Sequence, residues 1–92
     1  MADFLAELRA LIADRRANPR PGSYTNQLLA DKTLAAQKVG EEATEVVVAA
    51  LAQSDERLVE EMADLVYHSL VLLEARGLSW EEVMRTLESR HR

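Results

Sequence analysis

Gln53-Ser54-Asp55 is the one strong break between two long helical patterns, and it makes a helical hairpin the central element of this chain. The pattern before it runs from about residue 33 to 52. The pattern after it is capped by Ser54 or Asp55, with Asp55 and Glu56 well placed against the helix dipole. It stops at Gly77, where a left-handed residue is expected to end the helix. Four acids are arranged symmetrically about this break, since position 53 is the midpoint of Glu45 and Glu61 and also of Glu42 and Asp64. Within each helix the two acids are spaced i, i+3 and project from one face. An antiparallel hairpin therefore sets Glu45 level with Glu61 and Glu42 level with Asp64, ~12 Å from the turn at 1.5 Å rise per residue. Hard divalent cations take oxygen ligands, and Mg²⁺ keeps positions open for water and phosphate. Glu42, Glu45, Glu61 and Asp64 are thus a candidate Mg²⁺ site suited to phosphate chemistry.

Most helical acid clusters are simply solvated faces, and the surroundings decide against that here. On a helical wheel Lys38, Glu41, Glu42 and Glu45 share an arc of roughly 100°, opposite a stripe of Val39, Ala43, Val46, Val47 and Ala50. The acidic arc then turns apolar at Val48, Ala49 and Ala52. On the second helix the arc of Glu61 and Asp64 continues through Leu65, His68 and Leu72, and only Tyr67, His68 and Ser69 are polar between 65 and 73. A helix apolar almost all round is buried on most sides. Carboxylates at the margin of such a core lose hydration and repel one another, so they take up protons or hold cations.

The rest of the chain is helical as well. Asp3 caps a first helix over Phe4–Ala17, whose stripe is Phe4, Leu5, Leu8, Leu11 and Ile12. Asn18-Pro19-Arg20-Pro21-Gly22 reads as an extended loop. Ser23 or Thr25 caps a short piece ending near Leu29, and Ala30-Asp31-Lys32 kinks it away from the long helix. Ser79-Trp80-Glu81-Glu82 is a capping box for a last helix that ends near Ser89 and buries Trp80, Val83, Met84 and Leu87. The expected fold is all-α, a single domain over 1–92 with four to five helices. With 48% apolar residues in so short a chain, part of that surface is expected to be buried against a second copy.

Composition narrows the partners. The net charge of −5 argues against nucleic acid. The N-terminus lacks the basic and apolar regions of a signal peptide, and no stretch reaches the ~18 apolar residues of a membrane span. The absence of Cys fits a cytoplasmic protein.

Lys38-Val39-Gly40-Glu41-Glu42-Ala43-Thr44-Glu45 followed by Glu61-Met62-Ala63-Asp64-Leu65-Val66-Tyr67-His68 resembles the phosphoribosyl-ATP pyrophosphatases. These are the histidine-pathway family within the all-α nucleoside triphosphate pyrophosphohydrolases, the MazG-like superfamily. The superfamily signature, Glu-Glu-x-x-Glu then Glu-x-x-Asp, is matched by Glu41, Glu42, Glu45, Glu61 and Asp64. Ser23-Tyr24-Thr25, the run from Tyr67 through Leu73, and Arg76-Gly77-Leu78-Ser79 with Val83, Leu87 and Arg90-His91 resemble the narrower family. The likeness extends from about Phe4 to His91. One departure is the stretch 30–35, which lacks the Gly that many members carry, so the lead into the acidic helix is expected to differ.

The resemblance implies hydrolysis of phosphoribosyl-ATP to phosphoribosyl-AMP and pyrophosphate, and the apolar stretches Val46 to Ala52 and Leu65 to Leu73 predict a homodimer or a larger assembly built from one. Mg²⁺ would lie on Glu42, Glu45, Glu61 and Asp64, with Glu41 orienting water or holding a further ion. Lys38, one turn before Glu42, is a phosphate contact or a salt-bridge partner. Tyr24 and Thr25 are candidates for base or ribose contacts, or else a loop anchor and a cap. Arg15, Arg16, Arg20 and Lys32 are further cations near the loop, each a surface residue or a substrate contact, with Arg15 and Lys32 the candidates for contact. His68 is either a support for the site or a core histidine, and His91 is a weaker candidate. The competing readings are a related enzyme acting on other NTPs or dNTPs, and a non-enzymatic helical dimerisation module.

Overall fold

The computed structural model describes residues 3–92, which form five helices: α1 Phe4–Ala17, α2 Tyr24–Ala30, α3 Lys32–Ala52, α4 Asp55–Ala75 and α5 Trp80–His91. Local chemistry accounts for each boundary. Asp3, Ser23, Asp31, Ser54 and Ser79 each accept a backbone N–H in the first turn of the helix that follows. Ser23, not Thr25, caps α2. Asp31 closes α2 and opens α3 at once, in an extended conformation (φ −134°, ψ 91°), and this is the kink between the two. At Ser79 the capping box is complete, with the Glu82 side chain returning to the Ser79 N–H. Gly77 has φ 71°, as the end of α4 requires.

α3 and α4 form the antiparallel hairpin and make the largest pairing in the fold. α2 lies against α1, α3 and α4. Asn26 secures the loop before it, donating to the Arg15 carbonyl at 2.7 Å and accepting from the Arg20 N–H at 2.9 Å. The core is small: Ile12, Leu28, Ala35, Leu70 and Val71, with Leu5, Leu8, Leu34, Val66 and Trp80 packed around them. Arg16 ties the end of α1 to the Glu74 carbonyl of α4 at 3.0 Å.

α5 differs from expectation. Trp80 and Val83 are half-buried, but Met84 and Leu87 are exposed and no residue of the helix is fully buried. It packs lightly on the other helices, held in part by an Arg9–Glu81 ion pair. The C-terminal half of α3 is similarly bare, with Val47, Val48 and Leu51 exposed, Leu51 by 83%. By contrast, the 65–73 stretch of α4 is covered within the protomer. The radius of gyration is 14.3 Å, against about 12 Å for a compact chain of this length. The chain is thus more open than a compact domain of its length. No helix among the described residues is long and apolar enough to cross a membrane.

Candidate metal centre

The hairpin brings together Glu42 from α3 and Glu61 and Asp64 from α4, with a carboxylate oxygen of each within 4.8 Å of the others. Glu61 and Asp64, three residues apart, share a face of α4, and the short Gln53-Ser54 connection fixes which turn of α3 faces them. The cluster has a dry floor and an open mouth: the side chains of Glu61 and Glu42 are 8% and 13% exposed, while Asp64 is exposed. Like charges gathered this closely repel one another, most of all where burial reduces solvent screening. Three carboxylates so placed need positive charge. The set contains only hard oxygen donors, which suits Mg²⁺ or Mn²⁺ and not a soft metal.

Two side chains supply cationic charge from opposite ends of the cluster. Lys38 approaches from the end remote from the turn, 3.0 Å from Glu41 and 3.6 Å from Glu42. The hydrogen bond to Glu41, followed by the fields of Glu41, Tyr24 and Glu42, holds its ammonium above the ordinary lysine value despite partial desolvation. Arg57 approaches from the turn side and pairs with Glu61, and with Glu60 at 2.8 Å. Its guanidinium is stabilised first by Glu60 and then by the fields of Glu61, Glu60 and Glu45. Asp64 has no ion-pair partner among the described residues. Arg57 was not among the sequence candidates. Its i, i+4 spacing to Glu61 was the available signal, but such pairs are common on exposed helices and gain weight only once Glu61 is known to be buried.

Glu45 does not join the three clustered acids. It lies about 60° around α3 from Glu42, by the 100° step of a helix, and its side chain is exposed. Two acids from α4 and one from α3 come together, and Glu61 pairs with Arg57 of its own helix. Glu45 remains close enough for its charge to be felt at Arg57. Glu41 is exposed and engaged by Lys38.

The α2 candidates are anchored to α4. The Tyr24 hydroxyl lies 2.9 Å from His68 Nε2, and His68 Nδ1 lies 2.7 Å from the Asp64 carbonyl. A carbonyl only accepts, so Nδ1 carries the proton; in the neutral ring Nε2 then accepts from Tyr24. His68 is buried and therefore links α2 to the turn of α4 that bears Asp64. Partial desolvation raises the Tyr24 phenol above the usual value, with the Lys38 charge opposing it. Thr25 exchanges a hydrogen bond with the Tyr67 hydroxyl, which makes it a tie between helices. Arg15 pairs with Asp14 at 3.3 Å and Arg16 with Glu74 at 3.4 Å. Lys32 is exposed at the first turn of α3, and His91 is exposed at the end of α5; neither is brought into the acid cluster.

Comparison with known proteins bears on what this cluster does. The family model described as phosphoribosyl-ATP pyrophosphohydrolase matches residues 5–91. The chain belongs to the phosphoribosyl-ATP pyrophosphohydrolase family. It is similar to a phosphoribosyl-ATP pyrophosphatase of Methanocella arvoryzae, 42% identical over 97 aligned positions that cover all of both chains. It is also similar to one of Metallosphaera sedula, 50% identical over 91 positions and 98% of each chain. A third relative is the histidine biosynthesis bifunctional protein HisIE of Xylella fastidiosa, 47% identical over 90 positions, where 97% of this chain aligns with 44% of that protein. In this phosphoribosyl-ATP pyrophosphohydrolase family member the matched span contains all three clustered acids and both flanking cations.

Proposed function

We infer that this chain hydrolyses phosphoribosyl-ATP between its α and β phosphates, releasing phosphoribosyl-AMP and pyrophosphate in histidine biosynthesis, with Mg²⁺ held by Glu42, Glu61 and Asp64. The observation that carries the reading is the convergence of three carboxylates from α3 and α4 within 4.8 Å, inside the span matched by the family. When bound at these acids, Mg²⁺ would supply positive charge that favours departure of pyrophosphate. The remaining steps belong to side chains. Lys38, at the far end of the cluster, contacts the polyphosphate, and Glu41 presents an acceptor that orients the attacking water. Glu45, outside the three acids, adds negative charge on the turn side, where it is felt at Arg57. Tyr24, held by His68, faces the nucleoside portion, which keeps the substrate in one register relative to Asp64. The protein acts in the cytoplasm.

The test is steady-state pyrophosphate release from phosphoribosyl-ATP across a Mg²⁺ titration, for the wild type and Lys38→Met. Activity is expected to vanish on chelation and return with Mg²⁺. Lys38→Met is expected to lower kcat/KM at least tenfold, or ~1.4 kcal/mol, with little change in melting temperature, since a partly exposed i, i+4 pair contributes only tenths of a kcal/mol. An unchanged kcat/KM at saturating Mg²⁺ would return Lys38 to a purely structural role.

The chain works as a homodimer. Val47, Val48 and Leu51 on α3, and Phe4, Val59 and Met62 elsewhere, are exposed. A groove of about 460 Å³ runs between α1 and α4 and is lined by Phe4, Leu5, Leu8, Val59, Met62, Ala63 and Val66. Contiguous apolar surface of this kind is normally covered, and a closed twofold arrangement is the commonest means. Sedimentation at micromolar concentration should give at least twice the 10.3 kDa chain mass. A monodisperse monomer contradicts this.

A further inference from the structure

Glu61 poses a problem that the acids alone do not solve. Its side chain is 8% exposed and lies among other carboxylates, and a buried carboxylate needs a counter-charge whether or not a metal is present. Arg57 meets that need. Its guanidinium forks between Glu61 and the exposed Glu60, 2.8 Å away, and the charge of Glu45 reaches it as well. Arg57 is itself half-exposed, so it has room to move. Because Glu60 would retain it, release from Glu61 leaves the guanidinium with a partner. Lys38 is placed differently: its nearer partner is Glu41, and Glu42 lies 3.6 Å away.

We propose that Arg57 is the resident counter-cation of the acid cluster: it neutralises Glu61 in the metal-free protein and surrenders that carboxylate, swinging onto Glu60, when a divalent ion binds. Arg57 is a positioning residue and touches neither substrate nor reacting atoms. It keeps Glu61 in place between turnovers and, by competing for the same carboxylate, sets the metal affinity lower than the acids alone would give. The proposal rests on the assignment of Glu42, Glu61 and Asp64 as the metal-holding acids.

The experiment is calorimetric titration of Mn²⁺ into the chelator-stripped full chain at low ionic strength, without substrate. It compares the wild type with Arg57→Met, Arg57→Gln and Arg57→Lys, and adds thermal melts with and without Mn²⁺. Arg57→Met and Arg57→Gln are expected to bind Mn²⁺ about tenfold more tightly, and Arg57→Lys about as the wild type does. Without metal, Arg57→Met should melt several degrees lower because Glu61 has lost its counter-charge, and saturating Mn²⁺ should abolish the difference. Arg57→Gln, which keeps a hydrogen-bond donor for Glu61, guards against a change in folding as the cause. Unchanged or weaker Mn²⁺ binding in both neutral variants overturns the role of Arg57 and leaves the metal site standing. No Mn²⁺ binding in any of the four proteins overturns the metal site and this proposal together.

Discussion

Asp64→Asn should lower kcat/KM for phosphoribosyl-ATP by ~10³-fold or more at saturating Mg²⁺, about 4 kcal/mol of transition-state stabilisation. Among the clustered acids Asp64 gives the cleanest test. It is exposed and has no ion-pair partner among the described residues. Replacement by a neutral amide of the same shape removes a charged ligand without stranding a cation. Glu61→Gln would also leave Arg57 half-paired, and Glu42→Gln would disturb Lys38. Because one source of carboxylate repulsion is removed, the metal-free protein should melt at the same temperature as the wild type or higher. Turnover within tenfold of the wild type, in a protein that remains folded, would remove Asp64 from the site.

Leu28→Ala should be the most damaging single change to the fold. Leu28 is 0% exposed and belongs to the five-residue core with Ile12, Ala35, Leu70 and Val71. A seven-residue helix such as α2 has no stability of its own, so this contact does much to hold it against α1 and α4. Truncation of a buried leucine costs ~2–5 kcal/mol, a large share of the ~5–15 kcal/mol that stabilises a typical domain. For a chain of this size each kcal/mol shifts the melting temperature by about 4–8 °C. A fall of well over ten degrees is therefore expected in thermal melts compared at equal protein concentration. KM should rise too, because α2 carries Tyr24. A loss of less than ~3 °C would mean that α2 is not anchored through Leu28.

Much of the fold was legible because its determinants are local. Ser54, the Ser79–Glu82 capping box and Gly77 act within a few residues of themselves, and each occupies the predicted terminus in the structure. The kink at Asp31 could be read for the same reason. What could not be read depends on how helices rotate and settle against one another. The symmetry of the acids points to where Glu42, Glu61 and Asp64 meet, but which side chains of α3 turn toward α4 depends on how that helix is rotated, and Glu45 is outside the group. Residue spacing carries no information on that angle beyond the wheel. The Tyr24–His68–Asp64 connection joins residues 44 positions apart, where no local rule reaches. Met84 and Leu87 have the spacing of a buried stripe, yet each remains nearly half exposed. Their pattern records a surface to be buried without identifying what buries it.

Anomalous diffraction from crystals grown with millimolar Mn²⁺ would show whether Glu42, Glu61 and Asp64 hold the divalent ion. An anomalous peak is expected between α3 and α4 with an oxygen of each of these three side chains at roughly 2.0–2.2 Å, and with the Arg57 guanidinium moved off Glu61 toward Glu60. No peak at these acids, or an ion bound elsewhere while Arg57 still pairs with Glu61, would contradict that assignment.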